Sequence, residues 1–577
     1  MGAVLDVVGV PVDAALIAAW RTRVDRARAH LGWVECTAVA RPHFGGVLLA
    51  IAAPNDQLLL ATEINEWALC AALIERAPSR WSGLQQALAA AAANSEEDAI
   101  PAAGGAAVIE EKAALARFRS LADAESLPDM RALLDGAARR GLDFLIDDSK
   151  LTLGAGVGSR TFSLTALPQP TDVPWDELSN IPTVLVTGSN GKTTTVRLLA
   201  ACARAHGWQA GFNCTDGVFI GDTTLATGDY SGPAGARMIM RDARTQVAIL
   251  ETARGGILRR GIAVSRADAA VVTNISSDHF GEYGIDDLGG LADVKLSVAA
   301  AVSAKGLLVL NADDSLLRTK AAELGRRFGS CPPLGWFSPD ADQVYLQEYR
   351  RRGAPTCGAR HGTLWLHHSG VDHALGNITD MPLTIGGMAD YNIANLAGAA
   401  LAAAALGVSA TTIAAVFARF GNNPQDNPGR LMRFEYKGAR ILIDYAHNPD
   451  GLRGLLTVAK QLRGRSGRLG MLLGTAGNRR DSDIEELARV AGEFHPELIV
   501  VKEDEAHLRG RAPGEIPKII RAELLRLGFA ASVLPVTDTE FAAARIALEW
   551  ARPGDVLALP VHSASARADV LNLLQGS

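Results

Sequence analysis

The stretch Val184-Leu-Val-Thr-Gly-Ser-Asn-Gly-Lys-Thr-Thr-Thr195 decides the fold of this chain. Its apolar, β-branched start predicts a buried strand, and the pattern of residues 196–203 predicts a helix directly after the Gly-x-x-Gly-Lys-Thr turn. Glycines allow the backbone to approach an anion closely, and the N–H groups at a helix start point towards it. The sequence therefore predicts a phosphate-binding loop. The alternative, a Gly-rich turn without a ligand, is disfavoured by Lys-Thr-Thr.

The residues around this turn supply the candidate contacts to a nucleotide. Lys192 would place a point charge on the outer phosphates, and the Thr193 hydroxyl can hold Mg²⁺. Val186 stands where a full Gly-x-x-x-x-Gly-Lys loop has its first glycine, so the loop departs from that of the commonest nucleotidases. The candidate nucleotide-binding residues of the loop are Gly188, Asn190, Gly191, Lys192, Thr193 and Thr194.

Length and composition limit the class of protein. A chain of 577 residues is too long for one core, so we expect three or four domains. A net charge of -6 argues against nucleic acid as a partner, and no apolar window is long enough to span a bilayer. The N-terminus does not resemble a signal peptide, and the six cysteines are scattered without a C-x-x-C pair. We therefore expect a cytoplasmic protein with reduced thiols.

The first part of the chain, about residues 1–165, has the pattern of a small α+β domain with a linker. Helices are predicted at residues 14–31 and 64–74, and strands at 46–52 and 57–62. A proline-rich linker at residues 168–182 follows.

Strand and helix patterns then alternate, which is typical of parallel sheets with crossover helices. We predict strands at residues 184–187, 247–251, 269–274, 307–311, 440–444, 469–473, 498–502 and 556–559, and a buried helix at 391–406. The fold class is therefore multidomain α/β. A central P-loop domain with a parallel sheet spans residues 180–427, and a Rossmann-like α/β domain spans residues 428–577.

Polar motifs follow several of these strands, at the edge of the sheet where ligands bind. Glu251 suits Mg²⁺ beside Thr193, or pairs with Arg254. His279 is a candidate for a second metal ion or for the transferring phosphoryl group, or is structural. Lys295, taken alone, is an ordinary helical lysine. Asp313 and Asp314 are turn residues or brace the nucleotide site; these alternatives stay open.

Two further motifs lie in the C-terminal region. Asp444-Tyr-Ala-His-Asn-Pro follows a predicted strand, and its polar groups should face a cleft, although His-Asn-Pro is also typical of a turn. The charged segments 474–481 and 502–511 are solvated surface or substrate contacts. The carboxylates of residues 503–505 are candidate partners for a guanidinium.

These residues together resemble the Mur ligase superfamily, which joins a carboxylate to an amine with ATP. The shared elements are Thr187-Gly-Ser-Asn-Gly-Lys-Thr-Thr, Glu251, Asp278-His279, Lys295, Asn392 with Asn395, Arg430 and Asp444-Tyr-Ala-His-Asn-Pro.

The resemblance implies a role for each element, with ATP and Mg²⁺ as cofactors. Thr193, Glu251, His279 and a carbamylated Lys295 would bind metal ions. Asn392, Arg430 and Asp444 would contact the nucleotide, although Tyr391 stands where Mur relatives often carry His. His447 would line the entrance of the amine. The candidate catalytic residues are Lys192, His279, Lys295 and His447.

Longer strings, among them Gly228-Asp-Tyr-Ser-Gly-Pro233, Asn427-Pro-Gly-Arg430 and Glu251-Thr-Ala-Arg-Gly-Gly256, are most similar to the Mur-ligase-like part of the cyanophycin synthetase family. That family has an ATP-grasp domain before this part, whereas here only about twenty residues separate Arg160 from the Mur-like start. The resemblance implies a single ligation, with arginine as the suspected amine and an Asp-containing peptide or polymer as the carboxylate. We also expect a homo-oligomer.

Three alternatives remain open. One is another Mur-type ligase, of the folylpolyglutamate or cell-wall type. Another is an inactive ATP-binding scaffold for a full-length synthetase, which the joint presence of Lys192, Thr193, Glu251, His279 and Lys295 argues against. The last is an ordinary P-loop ATPase, which would hydrolyse ATP without an amine.

Overall fold

The chain forms two compact units, described here from a computed structural model that covers residues 2–34, 36–43, 45–93, 110–277, 280, 283–464, 466–503 and 508–575. The first unit consists of residues 1–153, 161–176 and 281–286. The second consists of residues 154–160, 177–280 and 287–577.

The first unit is a small α+β structure. Its helices and strands are β1 (Gly2–Val8), α1 (Ala14–Leu31), β2 (Ala38–His43), β3 (Gly46–Ala52), α2 (Leu58–Arg76), α3 (Ser82–Ala93), α4 (Glu111–Glu125), α5 (Pro128–Arg139), β4 (Phe144–Ile146), β5 (Lys150–Leu153) and β6 (Arg160–Ser163). The antiparallel strands β1–β3 form a sheet in the order β1-β3-β2, and β4–β6 form another.

The core of the first unit contains aromatic side chains and buried polar contacts. Trp67 and Phe118 meet edge to face with ring centroids 5.4 Å apart. The indole N–H of Trp20 donates to Asn65 Oδ1 at 2.9 Å, and Asn65 Nδ2 donates to the carbonyl of Leu49 at 3.0 Å. These bonds tie α1 and α2 to the sheet without leaving the indole donor of Trp20 unsatisfied, which would be costly in a core.

The strand predicted at residues 57–62 is wrong, because this segment begins α2. A short, continuous run of leucines fits a buried strand and a buried helix equally well. Leucine favours the helix, and the buried positions Leu60, Ile64 and Trp67 follow helical spacing. The predicted strand at residues 46–52 and the predicted helix at 14–31 coincide with β3 and α1.

The second unit begins with a large mixed sheet and its helices. These elements are β7 (Thr183–Thr187), α6 (Lys192–His206), β8 (Ala210–Cys214), β9 (Gly217–Ile220), β10 (Thr223–Thr227), α7 (Pro233–Arg241), β11 (Val247–Glu251), α8 (Arg254–Arg260), β12 (Ala267–Val272), α9 (Leu288–Lys295), β13 (Val302–Asn311), α10 (Ser315–Ala321), α11 (Leu324–Phe328), β14 (Leu334–Asp340), α12 (Val344–Arg351), β15 (Thr356–Arg360), β16 (Thr363–His368), β17 (Val371–Asn377), α13 (Asp390–Ala405) and α14 (Ala410–Phe417).

This sheet has eleven strands in the order β10-β9-β8-β11-β7-β12-β13-β14-β15-β16-β17. The strands from β8 to β15 in that order pair in parallel, and an antiparallel hairpin extends the sheet at each end. The central strands β7, β11 and β12 are apolar along nearly their whole length, as expected for strands covered on both faces. The Ala-rich helix α13 packs on one face of the sheet beside α6.

A six-stranded sheet completes the second unit. Its elements are β18 (Met432–Tyr436), β19 (Ala439–Asp444), α15 (Pro449–Arg463), β20 (Leu469–Leu473), α16 (Asp481–Glu493), β21 (Leu498–Lys502), α17 (Glu515–Arg526), β22 (Val536–Thr537), α18 (Glu540–Trp550), β23 (Val556–Pro560) and α19 (Ala564–Gln575). The strand order is β18-β19-β23-β20-β21-β22, and only the β18–β19 pair is antiparallel.

The α/β class predicted from the sequence is confirmed by these two sheets. Apolar cores lie on both faces of the six-stranded sheet, which is the arrangement of a doubly wound fold. In each sheet the polar motifs follow the carboxyl ends of parallel strands, where α/β proteins bind ligands. In the described ranges, no helix combines the length and the apolar character needed to cross a bilayer.

Candidate functional site

The turn between β7 and α6 needs glycine at two positions. Gly188 has φ +142 and Gly191 has φ +84, conformations that side-chain-bearing residues rarely adopt. A Cβ atom on Gly188 would lie 1.8 Å from Thr273 Oγ1, and one on Gly191 would lie 2.2 Å from Asn395 Oδ1. Thr273 and Asn395 therefore pack directly against the backbone of the loop at these two glycines.

Asn190 is fixed in this turn by the end of the neighbouring strand. Its N–H donates to Asn274 Oδ1 at 2.9 Å, and its carbonyl accepts from Thr273 Oγ1 at 2.5 Å and from Asn274 Nδ2 at 3.1 Å. One residue earlier, the hydroxyl of Ser189 donates to the carbonyl of Ser276 at 2.9 Å. The segment after β12 thus fixes the loop before any ligand binds.

Lys192 folds back over the loop that precedes it. Its Nζ donates to the carbonyls of Gly188 at 3.0 Å and Ser189 at 2.9 Å. Lys192 is the first residue of α6, so the ammonium lies at the positive end of a helix whose first N–H groups have no partner within the helix. The ammonium and the helix start together are suited to an anion.

Thr193 and Glu251 meet directly behind the loop. Thr193 Oγ1 donates to Glu251 Oε2 at 2.8 Å, and Glu251 is fully buried at the end of β11. Burial raises the pKa of Glu251, although the charges of Lys192 and Arg430 and the hydrogen bond from Thr193 oppose the shift. The other carboxylate oxygen, Oε1, has no hydrogen-bond partner in the part of the chain that the structure describes.

An orphaned buried carboxylate oxygen beside a threonine hydroxyl fits a divalent cation. A cation would supply the missing partner of Oε1 and favour the ionised carboxylate. Mg²⁺ typically takes one or two protein ligands and keeps several waters. In the described ranges no three His, Cys, Asp or Glu side chains cluster as metal ligands. Of the predicted metal ligands, the structure brings Thr193 and Glu251 into direct contact.

The remaining predicted metal ligands are not joined to this pair by a described contact. His279 lies outside the described residues. Lys295 ends α9 and is 3% exposed, so it is buried. Its carbamylation and its metal role stay predictions.

Arg430 approaches the same hydroxyls from the loop that leads into the six-stranded sheet. Its Nη2 donates to Thr215 Oγ1 at 2.9 Å and lies 3.5 Å from Thr193 Oγ1. The guanidinium carbon also stacks 4.1 Å from the centre of the Tyr445 ring, a cation–π geometry. A second positive charge therefore lies beside the phosphate loop.

Two asparagines make further contacts to the loop. Asn427 Nδ2 donates to Thr194 Oγ1 at 3.1 Å, and Asn448 Nδ2 donates to Asn190 Oδ1 at 2.9 Å. Asn427 Oδ1 is buried without a partner in the described ranges, so it could accept a hydrogen bond from a ligand.

A cleft of about 200 Å³ opens beside these residues in the second unit. Its lining residues include Leu383, Asn422, Asn427, Arg430 and Met432. Since Asn427 and Arg430 also contact the loop threonines, the cleft continues from the candidate phosphate site.

Asp444 supports the turn that carries Arg430. Its Oδ2 accepts from the N–H of Leu431 at 2.7 Å, and Leu431 has the left-handed φ of +50. Burial raises the pKa of Asp444, and Arg430 together with backbone donors opposes that shift. A direct contact of Asp444 with a nucleotide stays a prediction.

Asn392 has internal hydrogen bonds in the structure. Its Nδ2 donates to the carbonyl of Leu383 at 2.9 Å, and its Oδ1 accepts from Asn395 at 3.0 Å. Asn395 in turn lies against Gly191. Through Asn395, Asn392 therefore supports the phosphate loop, and its contact with the nucleotide base stays a prediction.

His447 lies in the loop after β19. Its Nδ1 is 3.2 Å from the carbonyl of Tyr445, which can only accept, so the proton is assigned to Nδ1.

Glu503 is the predicted partner of a guanidinium. Both of its carboxylate oxygens accept from the N–H of Gly514, at 3.0 and 2.9 Å, and Gly514 is the residue directly before α17. Residues 504 and 505 lie outside the described part of the chain.

Sequence reasoning missed several contacts of the site. Thr215, Asn213 and Ser276 were given no individual role, yet Thr215 links Arg430 to Thr193 and Asn213 Nδ2 donates to the carbonyl of Glu251 at 3.0 Å. The signals were weak, because single threonines, serines and asparagines after strands are common in ordinary turns.

Comparison with known proteins gives two family matches. Residues 186–334 match the Mur ligase middle domain, and residues 429–559 match the Mur ligase glutamate ligase domain.

Two curated relatives match longer stretches of the chain. A cyanophycin synthetase from Synechocystis is 37% identical over 348 residues, which is 60% of this chain and 39% of that protein. The chain thus spans well under half the length of that relative. A UDP-N-acetylmuramoyl-L-alanyl-D-glutamate–2,6-diaminopimelate ligase from Xanthomonas campestris is 29% identical over 369 residues, 62% of this chain and 67% of that protein.

Among solved structures, E. coli FolC in complex with DHPP and ADP aligns with a TM-score of 0.48 and 19% identity. The alignment covers 68% of this chain and 89% of FolC.

Proposed function

Since the chain belongs to the Mur ligase superfamily, with its middle and C-terminal ligase domains, we propose that it is an ATP-dependent carboxylate–amine ligase. One observation carries the proposal: Thr193 and Glu251 pair directly behind a glycine-rich phosphate loop, with Arg430 on the same hydroxyl network. The proposed domains are residues 1–165, 180–427 and 428–577.

In this proposal the phosphates of ATP lie against the start of α6. The N–H groups of the loop and the ammonium of Lys192 bind the β- and γ-phosphates, and Lys192 exchanges its carbonyl partners for phosphate oxygens. The nucleoside occupies the cleft beside Asn427 and Arg430. Phosphoryl transfer depends mainly on positioning and charge neutralisation, which this arrangement supplies.

Thr193 and Glu251 would hold Mg²⁺, with His279 and Lys295 as proposed ligands of a second ion. When bound, such ions neutralise the charge that develops on the transferring phosphoryl group.

The reaction then has two steps. An oxygen of the substrate carboxylate attacks the γ-phosphorus, and the bond to ADP breaks, which gives an acyl phosphate and ADP. The amine nitrogen attacks the acyl carbon, phosphate leaves, and the nitrogen loses a proton. We assign the acceptor of this proton to His447, because the Nδ1–H tautomer places the lone pair of the ring on Nε2.

For the substrates we propose arginine as the amine and an aspartate side chain of a peptide or polymer as the carboxylate. The support is the 37% identity with a cyanophycin synthetase and the strings that the sequence shares with that family. Because the chain matches 39% of that protein, the substrates are proposed for this part alone.

The test combines phosphate release with mass spectrometry. The full chain is incubated with ATP, Mg²⁺, arginine and an aspartate-rich peptide, and Lys192→Ala is the control. We expect phosphate release that depends on both substrates, and a peptide heavier by one arginine residue, with both signals lost in Lys192→Ala. Amine-dependent phosphate release without that product would retain the ligase and overturn arginine or the peptide. ATP hydrolysis independent of any amine, or no turnover with a panel of acids and amines, would overturn the ligase.

A further inference from the structure

Three buried titratable side chains form a cluster at the carboxyl edge of the six-stranded sheet. Lys502 ends β21, Glu540 begins α18, and His562 follows β23. The side chains of Lys502, Glu540 and His562 are 1%, 4% and 6% exposed. The mechanism proposed above uses none of them, and Lys502 is too deeply buried to be the substrate contact that segment 502–511 suggested.

Charge pairing accounts for two members of the cluster. Lys502 Nζ donates to Glu540 Oε1, and the carboxylate also accepts from the N–H groups of His562 at 3.0 Å and Ser563 at 2.8 Å. Burial opposes ionisation of Glu540, but the charge of Lys502 and the hydrogen bonds from Lys502 and from the backbone N–H of His562 hold its pKa at about 2. A paired, hydrogen-bonded carboxylate is the form in which a buried charge is tolerated.

The neighbours of His562 determine its protonation. Its Nε2 lies 3.2 Å from the carbonyl of Ala446, which can only accept, so Nε2 carries a proton. Its Nδ1 lies 3.5 Å from Lys502 Nζ, which can only donate, and 3.6 Å from Glu540 Oε1. Burial lowers the pKa of His562 well below its ordinary value, and the charges of Lys502 and His447 lower it further. The charge of Glu540 acts in the opposite direction. The ring is therefore neutral, with its hydrogen on Nε2.

Ala446 lies in a loop that contacts the candidate nucleotide site twice. The preceding residue, Tyr445, stacks beneath Arg430, and its ring also lies edge-on to His562 with centroids 5.2 Å apart. Two residues further on, Asn448 donates to Asn190 in the phosphate loop. The carbonyl of Ala446 lies between these two contacts.

We propose that His562 is a positioning residue, whose neutral imidazole bridges Lys502 and the carbonyl of Ala446 and thereby holds loop 445–448 against Arg430 and the phosphate loop. The inference rests on the proposed function, because it assigns its effect to nucleotide binding. The cluster lies outside the proposed substrate contacts. In it, the Lys502–Glu540 pair orients the imidazole of His562, and the imidazole orients loop 445–448.

The test is ADP binding by calorimetry in the presence of Mg²⁺, with the full chain. In His562→Phe the ring volume remains but both hydrogen bonds are lost, and we expect ADP affinity to fall about fivefold to tenfold, the scale of one lost cation–π contact. In His562→Gln the amide can donate to Ala446 and accept from Lys502, so affinity should stay within about twofold of wild type.

Two further comparisons separate positioning from general stability. Leu548→Ala in α18 removes a buried side chain from the apolar core beside the same sheet and leaves the three side chains of the cluster in place, so it should lower thermal stability but leave ADP affinity unchanged. If His562→Phe does not fold, Tyr445→Leu tests the same loop, with Tyr445→Phe as the control that keeps the ring beneath Arg430.

The outcomes distinguish the two proposals. Wild-type protein that does not bind ADP would overturn the proposed function. Wild-type binding that persists unchanged in His562→Phe or in Tyr445→Leu would overturn the positioning role alone, as would an equal loss of affinity in His562→Gln or Leu548→Ala.

Discussion

Thr193 Oγ1 donates a 2.8 Å hydrogen bond to Glu251 Oε2 across 58 positions of sequence, and this bond joins the start of α6 to the end of β11. The parallel pairing of β11 with β7 brings the two ends to the same edge of the sheet. The carboxylate is fully buried and has one unpartnered oxygen within the described residues. This local cost in stability is typical of a site prepared for a ligand.

Glu251→Gln should therefore separate stability from activity. Because metal ions contribute several kcal/mol of charge stabilisation, we expect Mg²⁺-dependent turnover of ATP to fall by about 100-fold or more. The ligand-free variant should unfold at a higher temperature than wild type at neutral pH, because a neutral amide replaces a carboxylate that burial disfavours. Thermal unfolding and phosphate release check the two effects. Equal stability at neutral pH would contradict the assigned cost of this buried charge.

The raised pKa of Glu251 also predicts a pH dependence. Burial favours the protonated carboxyl of Glu251. The stability that this protonated form contributes is therefore fully present below the ordinary pKa of 4.5, and it is lost as the pH rises through the raised pKa. Mg²⁺ requires the ionised form, so Mg²⁺-dependent ADP affinity should fall as the pH is lowered through that raised pKa. Calorimetry across pH, with ADP in EDTA as the reference, measures the metal-dependent part. If the loss of Mg²⁺-dependent ADP affinity at low pH is as large in Glu251→Gln as in wild type, a group other than Glu251 causes it.

The two glycines at the ends of α6 give a matched test of the loop. Gly191 and Gly207 both adopt left-handed backbone conformations, with φ +84 and +101. A Cβ on Gly191 would collide with Asn395, whereas a Cβ on Gly207 meets nothing within 4 Å. Gly191→Ala should abolish ADP binding, while Gly207→Ala should cost only about 1–2 kcal/mol of backbone strain and bind normally. Calorimetry and thermal unfolding distinguish them, and normal ADP binding by Gly191→Ala would argue against a nucleotide in this loop.

The buried Lys502–Glu540 pair predicts sensitivity to acid. Lys502 and the neighbouring donors hold the pKa of Glu540 at about 2, below its ordinary 4.5, so its stabilising contribution is present above pH 4.5 and is lost as pH falls towards 2. A shift of this size corresponds to about 3 kcal/mol. Urea unfolding at a series of pH values should show this loss in wild type and less of it in Glu540→Gln.

Removing one partner of that pair tests its energetics directly. Lys502→Met leaves the carboxylate buried without its cation, and we expect a loss of about 3–5 kcal/mol at neutral pH. Lys502→Met combined with Glu540→Leu should recover much of that loss, because no uncompensated charge remains. A double variant as unstable as the single one would show that the hydrogen bonds of Glu540 to His562 and Ser563 matter more than the charge pair.

Much of the second unit could be predicted because its signals are local. The strands at residues 247–251, 469–473 and 498–502 coincide with β11, β20 and β21, since each is a short apolar run that ends at polar residues. The predicted helix at 391–406 differs from α13 by one residue at each end. The strand predicted at 307–311 is the second half of β13, which begins at Val302.

The antiparallel hairpins at the ends of the large sheet were not predicted. β16 and β17 contain His367, His368, Asp372 and His373, polar residues that weaken the apolar signal of a strand. Edge strands are commonly polar, so the pattern that identifies central strands fails there.

For the site, the sequence predicted the loop and the position of Glu251, because both are local features of a strand end. It could not predict partners from distant segments. Nothing near Asn427 or Thr215 in the sequence indicates that they meet Thr194 and Arg430, since those contacts depend on the packing of the two sheets. The structural use of Asn392 was missed although Asn395 lies on the next turn of the same helix, because the sequence does not show that the Asn392 amide reaches the carbonyl of Leu383.

Asn448 has a consequence for any attempt to recombine this chain with its relatives. Its Nδ2 bonds to Asn190, while its Oδ1 accepts from the N–H of Gly451 and caps α15. A chimera that replaces the six-stranded region therefore replaces a residue that shapes the phosphate loop. A donor region with another side chain at this position would carry its own substrate preference but alter nucleotide handling in the recipient, so productive chimeras should keep Asn190 and Asn448 as a matched pair.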